Sequence, residues 1–222
     1  MRPPENLDPL AEKILRALAG QPQAAEIVLG GYLALQHYLN YRQTRDIDAW
    51  WRQRASPEAE RAILAAMQRV AADEGLEVRE RRFGETLSVE LVRQGQKRFS
   101  FQIAVRTIAL EPALVSAWPP ILIETLADNI GSKMNALVER GAPRDFLDIR
   151  NVVQQGLVQV VDCWQLWTRK NPGEDVDAAR QKALLHLSAL DTRRPLASIK
   201  DVTERDEARR TREWFRNSFL SG

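Results

Sequence analysis

The sequence predicts an α+β protein, in which a small mixed β-sheet with flanking helices is followed by a C-terminal helical bundle. Short apolar segments with strand-like alternation, interleaved with amphipathic helices, are confined to the first half of the chain. From Ile121 onward the apolar positions follow a helical spacing. An irregular connector, residues 112–120, separates the halves, and we therefore expect domains at residues 1–118 and 119–222.

Start and stop signals define the elements of the first half. A helix over residues 6–18 ends at Gly20, and a helix over residues 57–74 begins after Ser56 as N-cap and ends at Gly75. The turn at Gln94-Gly95 predicts an antiparallel hairpin. The predicted strands are 27–29, 46–50, 76–83, 86–92 and 97–105, and a helix over 32–39 follows the first of them.

Helical spacing continues through the second half, with breaks at Asn171-Pro172-Gly173 and Arg194-Pro195. Aromatic residues at helical spacing usually pack inward, so we expect Trp164, Trp167 and Trp214 to form a core rather than a partner surface. The predicted helices are 121–140, 144–155, 158–169, 175–190 and 203–219.

Composition excludes several classes of function. With 28% charged residues and no apolar run near the roughly 20 residues that span a bilayer, we expect a cytoplasmic protein without a membrane partner. The single Cys163 excludes an internal disulfide, and with only two histidines a structural zinc site is not expected. A site for a hard cation stays open, because such a site needs only carboxylates.

The formal charge of +2 gives no global attraction to nucleic acid. Local basic clusters matter only if the fold brings several of them to one side of the site, since each alone is more simply a solvated face. They are Arg79, Arg81 and Arg82; Arg93, Lys97 and Arg98; and Arg209, Arg210 and Arg212.

Two features between residues 27 and 51 carry chemistry. Gly30-Gly31, between a strand and a helix, lets backbone N–H groups approach a phosphate at the helix start. Asp46 and Asp48 lie two residues apart in a strand, so their carboxylates share one face and suit a Mg²⁺ ion. Each feature has a simpler interpretation: the glycines as a turn, and the aspartates as an edge that is solvated or paired with Arg42 and Arg45.

The order of these residues resembles the nucleotidyltransferase signature of the AbiEii/AbiGii toxin family, within the DNA-polymerase-β-like superfamily. The first motif is Gly30-Gly31 followed by Arg42-x-Thr44-x-Asp46-x-Asp48. The second, residues 133–148, is a lysine helix followed by Arg144-Asp145-x-x-Asp148. Together the motifs span residues 27–153.

The resemblance implies a Mg²⁺-dependent enzyme that transfers a nucleotide from an NTP to an acceptor hydroxyl, on a tRNA 3′ end or a protein, with a cognate antitoxin as partner. It also implies that the helical half completes the active-site cleft. Asp46 and Asp48 would hold the metal, and Lys133 and Asp145 would join them as catalytic residues. The residues implied to bind the nucleotide are Gly30, Gly31, Thr44, Arg45 and Lys133, and the supporting residues are Arg42, Glu90, Gln102, Arg140, Arg144 and Asp148.

Physical chemistry alone leaves the second motif open. Lys133 lies on the apolar stripe of its helix, where a lysine either extends to solvent or is held by an anion. Asp145 and Asp148 could equally serve as a helix N-cap and an acidic first-turn residue after Pro143, with Arg140 or Arg144 as ion-pair partners.

One departure from the superfamily pattern concerns the third carboxylate, which is usually found on a later strand. The matching position here is Gln102, and Glu90 is a substitute, as is Asp145. A chain that has lost catalysis and only binds nucleotide, RNA or protein is therefore an alternative, as is transfer to a small molecule. The sequence does not distinguish which NTP, which acceptor or which oligomeric state applies.

Overall fold

The computed structural model describes residues 1–106 and 108–220. The chain forms two compact units, Met1–Asn129 and Ile130–Gly222. The first unit includes β-strand residues that follow the irregular connector, because its sheet continues beyond that segment.

The first unit is built on a mixed sheet that has seven strands in the described residues. They are, in chain order, β1 (Ile27–Leu29), β2 (Asp46–Trp51), β3 (Glu77–Phe83), β4 (Thr86–Arg93), β5 (Gln96–Val105), β6 (Leu114–Val115) and β7 (Leu122–Ile123). Across the sheet the order is β3-β4-β5-β2-β1-β7-β6. The pairs β2–β5 and β1–β7 are parallel and the others are antiparallel. The predicted α+β class is confirmed.

Local signals account for the long helices of this unit, α1 (Pro9–Ala19) and α3 (Pro57–Glu74). The Asp8 carboxylate accepts a hydrogen bond from the Leu10 amide at 2.8 Å, and the Ser56 hydroxyl accepts one from the Ala59 amide at 3.1 Å. These bonds satisfy amides that have no partner within the helix. The remaining helices are the short α2 (Gly31–Leu35) and α4 (Leu126–Glu139), which begins in the first unit and ends in the second.

The two faces of the sheet differ in character. On one face Ile47, Phe101 and Val89 are fully buried and form a single core with α1 and α3. Residues alternate between faces along a strand, so the intervening side chains point to the opposite side, which we call the polar face. The polar face carries Arg79 and Arg81 of β3, Ser88 and Glu90 of β4, Ser100 and Gln102 of β5, and Asp46 and Asp48 of β2.

Two predicted elements differ from the structure. Residues 32–39 do not form one helix, because α2 ends at Leu35 and the Tyr32 hydroxyl accepts hydrogen bonds from the Tyr41 and Arg42 amides, which fold the chain back. The helix predicted from Ile121 begins only at Leu126, because Leu122 and Ile123 instead pair with β1 in parallel.

The second unit is helical, as predicted. With the end of α4 it contains α5 (Pro143–Gln154), α6 (Val160–Lys170), α7 (Val176–Arg193) and α8 (Val202–Trp214), which closes with a π-helical turn, Phe215–Phe219. Trp164 and Trp167 are buried, and the rings of Trp164 and Trp214 lie 5.5 and 5.4 Å from that of Phe219, which confirms the aromatic core. Burial raises the pKa of the Cys163 thiol to about 12.

Among residues 1–106 and 108–220, no helix combines the length and the apolar character that crossing a membrane requires.

The contrast between the two faces predicts effects of very different size on stability for neighbouring residues of β5. Phe101→Ala removes a fully buried ring and should lower the free energy of unfolding by about 3–5 kcal/mol. Gln102→Ala, on the exposed polar face, should change it by less than about 0.5 kcal/mol. Urea denaturation of both variants checks this, and equal losses would contradict the assignment of faces.

Candidate functional site

The carboxylates of Asp46 and Asp48 lie side by side on the polar face. Both side chains are partly exposed, and β2 places them in register with Ser100 and Gln102 of the parallel strand β5. The Ser100 hydroxyl donates a close hydrogen bond to Asp46 Oδ1, and Lys97 Nζ lies 3.6 Å from the same oxygen. Asp46 is therefore oriented by a hydroxyl and a lysine of β5.

The glycine pair lies directly against Asp48. Gly31 has a φ of +60°, and a Cβ atom there would lie 2.2 Å from Asp48 Oδ2. A Cβ at Gly30 would lie 2.5 Å from Trp50 Nε1. The turn can approach the carboxylate this closely only because both positions lack a side chain.

The Gly30 amide of the glycine pair forms a hydrogen bond within the sheet, which the sequence did not reveal. The Gly30 N–H donates to the Asp48 carbonyl oxygen at 2.8 Å and so continues the pairing of β1 with β2. The Gly30 amide is therefore engaged within the sheet, and the phosphate contacts expected of Gly30 and Gly31 stay a prediction.

A buried network that the sequence did not reveal holds this turn from behind. Asn129 Nδ2 donates to the Gly31 carbonyl oxygen at 2.7 Å and to Glu124 Oε1 at 2.5 Å. Glu124 Oε2 accepts from Trp50 Nε1 at 3.2 Å and closely from Arg106, whose guanidinium lies 5.0 Å from the Trp50 ring centre. Glu124 and Asn129 are fully buried, so the network fixes the turn rigidly.

The three predicted site residues between α2 and β2, Arg42, Thr44 and Arg45, have local partners. Thr44 is buried, and its hydroxyl exchanges hydrogen bonds of 3.2 Å with the backbone of Asp46, so it shapes the start of β2. The Arg42 guanidinium stacks on the Tyr32 ring at 3.5 Å. Arg45 is exposed and lies 4.0 Å from Asp8.

Two of the positions considered for a third carboxylate, Gln102 and Glu90, lie on the polar face. Gln102 lies beside Asp48 in the register, is exposed, and donates from Nε2 to the Ser88 hydroxyl at 3.4 Å. Glu90 lies opposite Ser100 on β4, one strand further from Asp46, with Arg81 at 3.8 Å. The strand position next to Asp48 therefore holds a neutral amide.

In the second unit Lys133 is held by an anion. Its Nζ lies 2.7 Å from Asp148 Oδ2, and both side chains are buried. Of the two alternatives for this lysine, extension to solvent is therefore excluded. Asp148 is likewise buried, pairs with Lys133 and lies beyond the first turn of α5.

Asp145 is also engaged. It is fully buried and accepts from Arg140 Nε at 2.9 Å, from Arg140 Nη2 at 3.0 Å and from the Ala142 amide at 3.2 Å. Ala142, not Asp145, is the N-cap of α5, and Asp145 lies three residues into the helix. Arg144 is exposed. The Asp145 carboxylate is therefore held by both arms of Arg140, and its catalytic role stays a prediction.

The predicted site residues thus form two groups, one in each unit. The first unit brings together Gly31, Asp46 and Asp48, with Gln102 alongside, and the second joins Lys133 to Asp148 and Arg140 to Asp145. Glu124 and Asn129 were missed, because a buried hydrogen bond across almost a hundred residues leaves no local pattern.

The donors on the polar face fit one hard cation. Asp46 and Asp48 supply carboxylate oxygens, and Gly31 leaves space beside Asp48 where other residues would place a Cβ. In the described part of the chain, no three His, Cys, Asp or Glu side chains are grouped to hold a metal ion by themselves. The remaining ligands would come from substrate phosphates and water, which is how proteins usually bind Mg²⁺.

Comparison with known proteins supports this chemistry. A search of curated proteins found no match. The family model described as "Nucleotidyl transferase AbiEii toxin, Type IV TA system" matches residues 13–217, well beyond the two motifs. The match covers nearly the whole chain, both units included. The chain therefore belongs to the AbiEii family of nucleotidyl transferase toxins from type IV toxin–antitoxin systems, and it is a nucleotidyltransferase enzyme.

Proposed function

We propose that this enzyme transfers a nucleotide from an NTP to an acceptor hydroxyl with Mg²⁺ bound at Asp46 and Asp48. The observation that carries the proposal is the contact between Gly31 and Asp48, which sets a backbone turn directly against the carboxylate pair. A metal held there would lie beside a turn that a triphosphate can approach. When bound, Mg²⁺ would neutralise the phosphate charge and stabilise the charge that develops during transfer.

The donor lies on the β1 side of the carboxylates in this proposal. Gly31 lies on that side, against Asp48. A cavity of about 410 Å³ lies on the same side and is lined in part by Val28, Trp50, Arg106 and Glu124. Its size is in the range of small-molecule sites. Trp50 shares the polar face with Asp48, two residues further along β2, so a nucleoside in the cavity could extend its phosphates to Asp48.

The residues around the carboxylates would orient the site. Ser100 and Lys97 hold Asp46 through Oδ1, while Asn129 and Glu124 keep the Gly31 turn in place. These contacts hold the Asp46 carboxylate and the Gly31 turn in fixed positions. Preorganised polar groups of this kind are a major source of catalysis.

Lys133 remains proposed as the cation that neutralises the transferring phosphoryl group, on the strength of the family motif. Its pair with Asp148 orients it within the second unit. Arg140 and Asp145 would support the loop before α5. The acceptor proposed from the family is a tRNA 3′ end or a protein hydroxyl, and the partner is a cognate antitoxin.

The second candidate is a binding protein that has lost catalysis, and Gln102 is the observation that favours it. A neutral amide beside Asp48 leaves two carboxylates on the strands to hold metal. Transfer to a small molecule differs from the main proposal only in the acceptor. These candidates are distinguished by incubating the protein with each α-labelled NTP and measuring the label in tRNA and in protein. Label in either one supports the main proposal, and label in neither supports the binding protein or a small-molecule acceptor.

Asp48→Ala should reduce transfer by about a thousandfold or more, because it removes a metal ligand worth several kcal/mol of transition-state stabilisation. The matched control is Asp73→Ala, an exposed aspartate on α3. Label transfer and growth toxicity measure the effect, and titration with Mn²⁺ should show weakened metal binding. Full toxicity in the Asp48 variant would rule out this mechanism.

Gly31→Ala should reduce transfer by roughly a hundredfold, because the new Cβ would displace the Asp48 carboxylate by about an ångström. Gly95→Ala is the control for backbone strain, since Gly95 also has a positive φ but has no atom within 4 Å of an added Cβ. Transfer rates of the two variants, compared at equal folded concentration, check this. If both lose the same activity, the contact with Asp48 is not the reason.

Lys133→Met leaves the Asp148 carboxylate buried without its lysine, which should cost about 3–5 kcal/mol of unfolding free energy. Adding Asp148→Leu should recover much of that stability. If Lys133 acts on the nucleotide, the double variant will be stable and still inactive in label transfer. Recovery of transfer together with stability would show that the ion pair is purely structural.

A further inference from the structure

We propose that the polar face over β5, β4 and β3 is the docking platform for the acceptor, and that the acceptor is a single-stranded RNA end. This inference rests on the proposed function, because it takes Asp46 and Asp48 as the point of transfer. It adds a binding surface outside the two motifs. The surface is formed by Arg79, Arg81 and Phe83 of β3, with Ser88 and Gln102 between them and the carboxylates.

The direction of approach follows from the chemistry. In phosphoryl transfer the attacking and leaving oxygens stand roughly in line on opposite sides of the phosphorus. The donor's leaving phosphates lie towards Gly31 on the β1 side, so the acceptor hydroxyl has to arrive from the opposite side of β2. In the order of the sheet that side is occupied by β5, then β4, then β3.

The strand register links this side to the carboxylates in two transverse rows. One row runs from Asp48 through Gln102 and Ser88 to Arg81. The other runs from Asp46 through Ser100 and Glu90 to Arg79. Three strand spacings separate the ends of each row, which is about 14 Å. Gln102, Arg79 and Arg81 are exposed, whereas Ser88 and Ser100 are buried. The rows therefore form a path that leads from the carboxylates over two small buried serines to two exposed arginines.

The arginines are available to a phosphate chain. Arg81 lies 3.8 Å from Glu90, and Arg79 lies 3.9 Å from Glu77, so both ion pairs are longer than a hydrogen bond. About half of each arginine side chain is exposed, 57% and 47%. Arg82, the next residue of β3, instead points to the other face and contacts Glu60 of α3 closely. The alternation of the strand therefore assigns two of the three arginines of this cluster to the path.

Phe83 supplies the aromatic surface that single-stranded nucleic acids use. It is 63% exposed, and its place two residues after Arg81 puts it on the same face. Proteins bind single strands by combining cationic contacts to the backbone with aromatic rings on which bases stack. An exposed ring beside two arginines, facing a path that ends at the carboxylates, fits an unpaired RNA end.

The test is binding of a short fluorescein-labelled single-stranded oligoribonucleotide of mixed sequence to the full chain, followed by fluorescence anisotropy. Arg79→Ala with Arg81→Ala should weaken binding roughly twentyfold at about 0.1 M salt and reduce the slope of log K against log salt by about 1.4. Phe83→Ala should weaken binding by about tenfold without changing the slope. Affinity for a fluorescent NTP analogue should stay unchanged in both variants.

The matched control is Arg61→Ala with Arg82→Ala, which removes the same charge from the side of the sheet that α3 covers. If this control loses as much RNA affinity as the Arg79 and Arg81 variant, general charge explains the binding and the platform is wrong. Label transfer into protein with no RNA binding would also overturn the platform while leaving the transferase intact. Arginine-dependent RNA binding without transfer to any acceptor would instead uphold the platform and reject the proposed reaction.

Discussion

The candidate site depends on one steric condition, that nothing larger than a hydrogen atom stands between the turn at Gly31 and the carboxylate of Asp48. The surrounding contacts preserve this condition. The Gly30 amide bonds to the Asp48 carbonyl group, so the turn and the strand cannot separate. Asn129 holds the Gly31 carbonyl group from the other side and is itself fixed by Glu124. Much of the first unit thus contributes to one close approach between backbone and side chain.

Long elements with regular patterns could be predicted from the sequence, and short ones that depend on distant partners could not. The helix α3 has its own N-cap and glycine stop, and β4 and β5 are long enough to show alternation. By contrast, β6 and β7 have two residues each, too few for any period. Their conformation comes from pairing with each other and with β1, which lies far away in the sequence.

The site residues follow the same division. Asp46 and Asp48 were predictable because a strand places alternate residues on one face whatever surrounds it. For Lys133 and Asp145 the residue types left several roles open, and only burial and partners decide between them. Lys133 meets Asp148 on the following helix, and Asp145 receives both arms of Arg140. These pairings depend on how the chain turns between α4 and α5, which no local pattern determines.

The two edges of the sheet bear on how this protein behaves at high concentration. Unpaired strand edges can join sheets of separate molecules and start aggregation. At one edge β3 carries charged side chains of both signs at five of its seven positions, including Glu80 and Arg82, which discourages a second strand from pairing with it. At the other edge β6 is only two residues long and exposes Val115, so it offers an incoming strand little backbone to bind. The charged side chains of β3 at one edge and the short length of β6 at the other therefore both disfavour the joining of sheets from separate molecules.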